Sequence, residues 1–391
     1  MRVLHSSLYA AALLACLALI PVARATLRDP RRATWLTVFL VLQALGFVFE
    51  WLMLHPSTPA KSLWLGLLMS LAFFLAPCLW MCARELTGNG LSSWRQVSPW
   101  HFAVIGAGVV LVLPLLASTH AGKDFFRAGE FSPPWHEALI HEGMLTAIVL
   151  FGLQGGYYLR ECARLLARHT KQSKALFSDI DDQSLNTLRA LILVLAMHCV
   201  VGVGRGVYGL LLGREAGPNA IFALCEVAVL AWAVFTLPRA RTGLDPDERE
   251  LAEPTVQDKY SRSALDEAVR ARIQRKLAEA LEVRRLHRDG RLTLRGLCAD
   301  LRENPHYVSQ VINQDLGRSF YDLVNQHRVQ DAMTLLAAQP AMPVSEAATE
   351  VGFNSRSTFN AAFRQQAGLS PSAWRRKHAS APTGADLPSG T

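Results

Sequence analysis

Seven apolar stretches, near residues 4–23, 34–54, 63–83, 100–117, 138–159, 189–212 and 219–237, dominate the N-terminal part of this chain. Each approaches the ~20 residues that a helix needs to cross ~30 Å of hydrocarbon. Lipid offers the backbone no hydrogen-bond partner, so stretches of this length commit the chain to helices. The fourth is short, with Pro114 near its outer end. The spacings Gly152-x-x-x-Gly156 and Gly202-x-x-x-Gly206 suit close helix packing. A composition of 51% hydrophobic and 18% charged residues excludes a disordered or collagen-like chain.

The first stretch has a second reading. Arg2, the run from Leu8 to Ile20 and Ala23-Arg24-Ala25 follow the order of a cleaved export signal. Arg28, Arg31 and Arg32 would follow the cut, where positive charge opposes translocation. A retained span is the stronger reading.

Charge sets the orientation. With the N-terminus outside and seven crossings, the cytoplasmic segments hold fourteen basic residues: Arg24, Arg28, Arg31, Arg32, Arg84, Arg95, Arg160, Arg164, Arg168, Lys171, Lys174, Arg189, Arg239 and Arg241. The external segments hold five, Arg2, Lys61, Lys123, Arg127 and Arg214. That asymmetry obeys the positive-inside rule and puts the C-terminal region in the cytoplasm, behind a multi-pass inner-membrane domain.

Chemistry of the catalytic kind finds little support. The chain has seven cysteines and no C-x-x-C pair. Cys78 and Cys82 read as small buried apolar side chains. His136 and His141 diverge by about 140° on a helix, so they do not share a metal. There is no glycine-rich phosphate loop, H-E-x-x-H or G-x-S-x-G. The expectation is a non-enzyme with no catalytic residues, metal or cofactor.

Ionisable residues within spans are costly and call for a reason. Arg205 and Glu226 both fall ~10 Å below the outer boundary at 1.5 Å per residue. Glu50, His141 and Glu142 approach from the same side, and His198 lies deeper. Two readings stay open: an Arg205–Glu226 ion pair locking two helices, or a pocket for a small molecule or proton centred on that pair.

After Arg241 the composition changes. Residues 242–262 contain Pro246, Pro254 and an acidic cluster, Asp245, Asp247, Glu248, Glu250 and Glu253, and read as a solvated linker. Ser263 is the expected cap of a connecting helix over 263–290. Its stripe of Leu265, Val269, Ile273, Leu277 and Leu281 packs on the following domain or forms a dimer seam. From 291 to 378 short helices alternate with turns: one ending at Leu301, one capped by Asn304-Pro305, a longer one over 319–337, Val344–Glu350, and one from Ser355 to Gln366. Gly352 permits the turn within the second pair. Residues 379–391 lack apolar periodicity and read as a disordered tail.

Two helix–turn–helix pairs joined by one helix suit insertion of a helix into the ~12 Å major groove. The stretch from Glu350-Val351-Gly352-Phe353-Asn354 to Phe363-Arg364, with Gly368-Leu369-Ser370-Pro371-Ser372-Ala373-Trp374-Arg375 and Val308-Ser309-Gln310-Val311-Ile312-Asn313, resembles the DNA-binding domain of the AraC/XylS family of bacterial transcription regulators. Seven spans followed by Asp258-Lys259-Tyr260 resemble its membrane-bound branch. The resemblance implies an all-α chain, a seven-helix transmembrane bundle followed by a homeodomain-like double helix-turn-helix domain. It also implies promoter DNA and RNA polymerase as partners.

One position departs from the family pattern. Arg302-Glu303 stands in the first turn, where the family favours Gly or Asn and then an apolar residue. A bulky residue at positive φ is costly, and so is a buried carboxylate, which predicts a first helix pair that is less rigid, or binds DNA less tightly, than the second. Residues 265–378 hold 17 Lys/Arg against 12 Asp/Glu, a balance that favours phosphate contact. Arg356, Ser357, Asn360 and Arg364 on the second recognition helix, and His306, Ser309, Gln310 and Asn313 on the first, are the expected DNA contacts, to base edges or to phosphate. Phe353, Phe359, Phe363 and Trp374 read as core.

Together these features predict a one-component regulator held in the bilayer, monomeric or dimeric, coupling a signal to promoter binding. The rival is a membrane enzyme or transporter with an appended regulatory domain.

Overall fold

The structure is a computed structural model that describes residues 2–26, 30–55, 61–88, 98–117, 134–179, 182–212, 220–236, 248, 251–252 and 266–379. The chain divides into two compact units, residues 1–169 with 181–243, and residues 170–180 with 244–391. The described residues are helical throughout, apart from turns and one isolated antiparallel bridge between Phe177 and Thr293.

The first unit is built from α1 (Arg2–Thr26), α2 (Pro30–Leu54), α3 (Lys61–Leu86), α4 (Pro99–Ala117), α5 (Pro134–Leu176, of which 134–169 belong here), α6 (Asp182–Leu212) and α7 (Ala220–Thr236). Segments of α1, α2, α3 and α6 are long and apolar enough to cross a membrane, while Pro99–Leu113 and Ile221–Phe235 are shorter apolar helices. The expected seven crossings are thus met by length and composition for four. Consecutive helices α1, α2 and α3 pack side by side, and α7 lies against α1 and α6.

This unit is sorted against the usual rule for a water-soluble bundle. Large apolar side chains face outward, with Leu14 67%, Leu153 69% and Val200 72% exposed. Polar side chains turn inward: Gln43, His101, Gln154 and Glu226 are all buried. Several of their polar atoms find partners inside. His101 Nδ1 lies 2.6 Å from the Tyr158 hydroxyl, and Gln154 Nε2 donates to the Phe73 carbonyl at 3.2 Å. Gly202 and Gly206 let α6 approach Phe151 and Ile148, where an added Cβ would come within 2.6 Å of either side chain.

The second unit contains α8 (Glu267–Ala278, continued by a π-turn Glu279–Val283), α9 (Leu294–Leu301), α10 (Pro305–Gln310, continued by a π-turn Val311–Asp315), α11 (Phe320–Ala338), α12 (Val344–Glu350), α13 (Arg356–Ala367) and α14 (Pro371–Ala379). α8 starts at Glu267 with Asp266 as its cap, and it ends at Val283 rather than 290, followed by a 3₁₀ turn Leu286–Arg288. Ser263, Leu265, Asp258-Lys259-Tyr260, residues 380–391 and, apart from 248, 251 and 252, the linker lie outside the described residues.

Two hydrophobic cores share α11. Its first half sends Phe320, Leu323 and Val324 into a core with Leu294, Leu297, Val308, Val311 and Ile312. Its second half sends Val329, Ala332 and Leu336 into a core with Val351, Phe353, Phe359 and Phe363. Spacings of three and four residues put both sets on helix faces, but the faces differ, so one helix braces two pairs. Ile273, Leu277 and Leu281 of α8 are buried in the first core, so the stripe packs on its own domain.

Candidate functional site

The second helix pair positions α13. Ser355 caps it, its hydroxyl accepting from Thr358 N at 3.4 Å. Phe359, Ala362 and Phe363 are buried, and an aromatic chain runs from Phe353 through Phe359 and Phe363 to Trp374, with centroids 5.1, 5.5 and 6.0 Å apart. That anchoring leaves Arg356, Ser357 and Arg364 exposed and Asn360 half-buried. Arg356, Asn360 and Arg364 follow at intervals of four, so they form one outward row. Arg375 is occupied differently, donating to the Met342 carbonyl at 2.8 Å.

The first pair positions α10. Asn304 Oδ1 accepts from His306 N at 2.8 Å and Pro305 stands at the first turn, which needs no amide. Val308, Val311 and Ile312 are buried; His306 and Asn313 are exposed, and Ser309 and Gln310 half-buried. Two of these side chains are engaged within the helix. Asn313 Nδ2 donates to the Ser309 carbonyl at 2.9 Å, and Gln310 Nε2 to Gln314 Oε1 at 3.2 Å.

The first turn answers the cost predicted for it. Arg302 does adopt the left-handed conformation, with φ 54°. Glu303, however, accepts from Arg272 Nε and Nη2 at 3.0 and 3.1 Å and from Lys276 Nζ at 2.7 Å. Lys276 also donates to the Leu301 carbonyl at 2.9 Å. Hydrogen bonds from Lys276 and Arg272 hold the Glu303 carboxyl below its ordinary value. An acidic clamp to α8 therefore stands where the resemblance implied an apolar residue, and it ties the turn down rather than loosening it.

A further element was not expected. Residues 170–180 belong to this unit, and Leu176 and Phe177 are buried in the first core. Ser178 N donates to the Leu292 carbonyl at 3.2 Å, and its hydroxyl to the same oxygen at 2.6 Å. Arg328, fully buried on α11, donates to the Ser178 carbonyl and hydroxyl, to Asn325 Oδ1, and to the carbonyls of His287 and Asp289, at 2.6–3.2 Å. Burial pulls its guanidinium down to about 10. Asn354, in the turn before α13, donates to Asp179 Oδ2 at 2.8 Å and to the Gly290 carbonyl at 2.7 Å. The sequence hint was small: Ala175-Leu176-Phe177, three apolar residues in a charged segment.

In the first unit, a cavity of about 220 Å³ collects several of the charged residues of the apolar stretches. Glu50, Arg205 and Glu226 line it, with Gln43 and His198. The pairing differs from the expected Arg205–Glu226 contact. Arg205 pairs with both carboxylate oxygens of Glu50, which lies on α2 rather than α7. Glu226 is held by Gln43, whose Nε2 donates to Oε2 at 2.7 Å. Equal depth does not fix the side of a helix, which is why depth alone chose the wrong partner. His141 and Glu142 are exposed and do not line this cavity. Among the described residues no His, Cys, Asp or Glu cluster fits a metal ion.

Comparison with known proteins bears on the second unit. Residues 297–377 match the family described as a helix-turn-helix domain. A similar protein is the uncharacterized transcriptional regulatory protein YesN of Bacillus subtilis, 34% identical over 82 residues, which are 21% of this chain and 22% of that protein. The chain thus matches about a fifth of the relative's length. A solved structure, the C-terminal domain of the response regulator AraT from Geobacillus stearothermophilus, is 31% identical with a TM-score of 0.24, covering 29% of this chain and 88% of that one. Given the family match, the relative and the motifs of α10 and α13, this chain carries at its C-terminal end a DNA-binding helix-turn-helix domain of the AraC type.

Proposed function

We propose that the chain is a membrane-tethered, sequence-specific transcription regulator that couples a signal received among its apolar helices to promoter binding. The observation that carries this is the second unit itself: two capped recognition helices, braced by one shared helix, each with an outward polar row. A helix so braced enters the major groove, where Arg reads guanine and Asn or Gln reads adenine. The outward apolar faces of the first unit support a lipid environment, and the basic excess on one side of its helices supports a cytoplasmic DNA-binding end.

α5 is one helix from Pro134 to Leu176, and its last two turns and the residues after it belong to the second unit. To act as a switch, a signal must favour one arrangement over the other.

The full-length protein in lipid nanodiscs tests this reading. It should bind a duplex selected from a random pool at least tenfold more tightly than a scrambled duplex at moderate salt, well within the usual specificity range. Equal binding of both would refute sequence-specific regulation.

A further inference from the structure

We propose that the cavity of the first unit binds a small organic cation, an ammonium group on an apolar body, with Glu226 as its counter-ion. This rests on the reading above that the unit receives a signal, and it names the chemistry of that signal.

The charges of the lining decide the sign. Its arginine is spent: Arg205 engages both oxygens of Glu50, which the Tyr9 hydroxyl also approaches at 3.4 Å. Glu226 is only 7% exposed and receives one hydrogen bond, from the neutral amide of Gln43. Its other oxygen is 3.9 Å from His198 Nδ1, beyond hydrogen-bond reach. A buried carboxylate with one neutral donor is under-compensated, and a cation entering the cavity supplies what is missing.

The rest of the lining suits an ammonium ion with an apolar body. Phe47, Phe73, Phe151 and Phe222 face the same space. Phe73 and Phe151 meet edge to face with centroids 5.7 Å apart, so one ring offers its face where the other offers its edge. Aromatic faces attract cations, most strongly where water is excluded. His198 adds a buried Nε2 with no hydrogen-bond partner among the described residues. At about 220 Å³ the space lies below the range for drug-sized ligands, which limits the occupant to roughly one ring and a short amine arm.

Isothermal titration of the full-length protein in nanodiscs, with three probes of one shape, tests the proposal. These are 2-phenylethylammonium, 3-phenylpropionate and 2-phenylethanol. The ammonium should bind roughly tenfold or more tightly than the other two, and Glu226→Gln should abolish that preference. Phe222→Leu, at a partly exposed wall position, should weaken the ammonium several-fold while leaving the alcohol unchanged, and it serves where Glu226→Gln does not fold. Equal binding of the three probes, no binding of any, or an ammonium preference that survives Glu226→Gln would overturn the assignment. Ammonium that binds as stated yet leaves affinity for the selected duplex unchanged would support the cavity assignment and count against the sensing reading alone.

Discussion

Arg328 and Ser178 lie 150 positions apart in the chain, yet the guanidinium of one donates to both the carbonyl and the hydroxyl of the other inside the DNA-binding unit. The same arginine also holds the carbonyls of His287 and Asp289, and its guanidinium lies 5.6 Å from the centre of the Phe353 ring in the second helix pair. A segment that follows α5 is therefore part of the scaffold that holds both recognition helices.

Replacing Arg328 by Met should be severe. It leaves the carbonyls of Ser178, His287 and Asp289 without this donor, at a cost of about 3 kcal/mol or more in total. Hydrogen exchange read on peptides from α11 and from residues 286–292 should accelerate together. Ser178→Ala should show the same pattern at about 1–2 kcal/mol. Unchanged protection in Arg328→Met would deny the arginine this role.

The Glu303 clamp should reveal itself in acid. Its carboxyl is held below the ordinary value of 4.5 by hydrogen bonds from Lys276 and Arg272. A depressed acid contributes stability that is present above 4.5 and is lost as the pH falls through the lower folded value. Both cations are partly exposed, so solvent screening limits the contribution to about 1 kcal/mol. Glu303→Gln should therefore be less stable than wild type at pH 7, with the two converging toward pH 3 in urea titrations. A gap that persists at pH 3 would mean the carboxylate charge is not its source.

The two turns should respond in opposite directions. At Gly352, φ is 95° and an added Cβ would come within 2.5 Å of the Arg288 carbonyl oxygen, a backbone atom with little room to move. Gly352→Ala should cost more than about 2 kcal/mol, from backbone strain and the collision together. Arg302, also left-handed, is exposed, and Arg302→Gly should stabilise by about 1 kcal/mol through relief of that strain. Exchange rates in α13 and α10 respectively report each change.

On DNA, Arg356 and Arg364 should separate in kind. Arg356, at the start of α13, should read a base; Arg356→Ala should cost about 1–3 kcal/mol and relax preference at one position of the site. Arg364, two turns further, should weaken all sequences alike and reduce the salt slope by about one on substitution. Binding to a panel of single-base variants at several salt concentrations distinguishes the two patterns.

Capping and periodicity were local, and so they were readable. Asn304-Pro305, Ser355 and Gly352 act within a few residues of themselves, and the structure places each at the helix start or turn expected. The apolar residues of α11 were legible as core, but not their division between two cores. The acidic residue at position 303 looked like a fault because its compensating cations lie about 30 positions away on α8.

The sequence by itself determined the caps and turns of the two helix pairs, the apolar character of the N-terminal stretches, and the motifs that mark the DNA-binding end. Those properties depend on neighbouring residues and on the composition of short windows. Only the tertiary structure decided that Arg205 faces Glu50 instead of Glu226, and that Phe177 and Ser178 complete the core of a domain beginning some ninety positions later. Helix rotation chooses among residues of equal depth, and a buried arginine takes carbonyls from wherever the chain presents them. Neither choice leaves a periodic trace in the sequence.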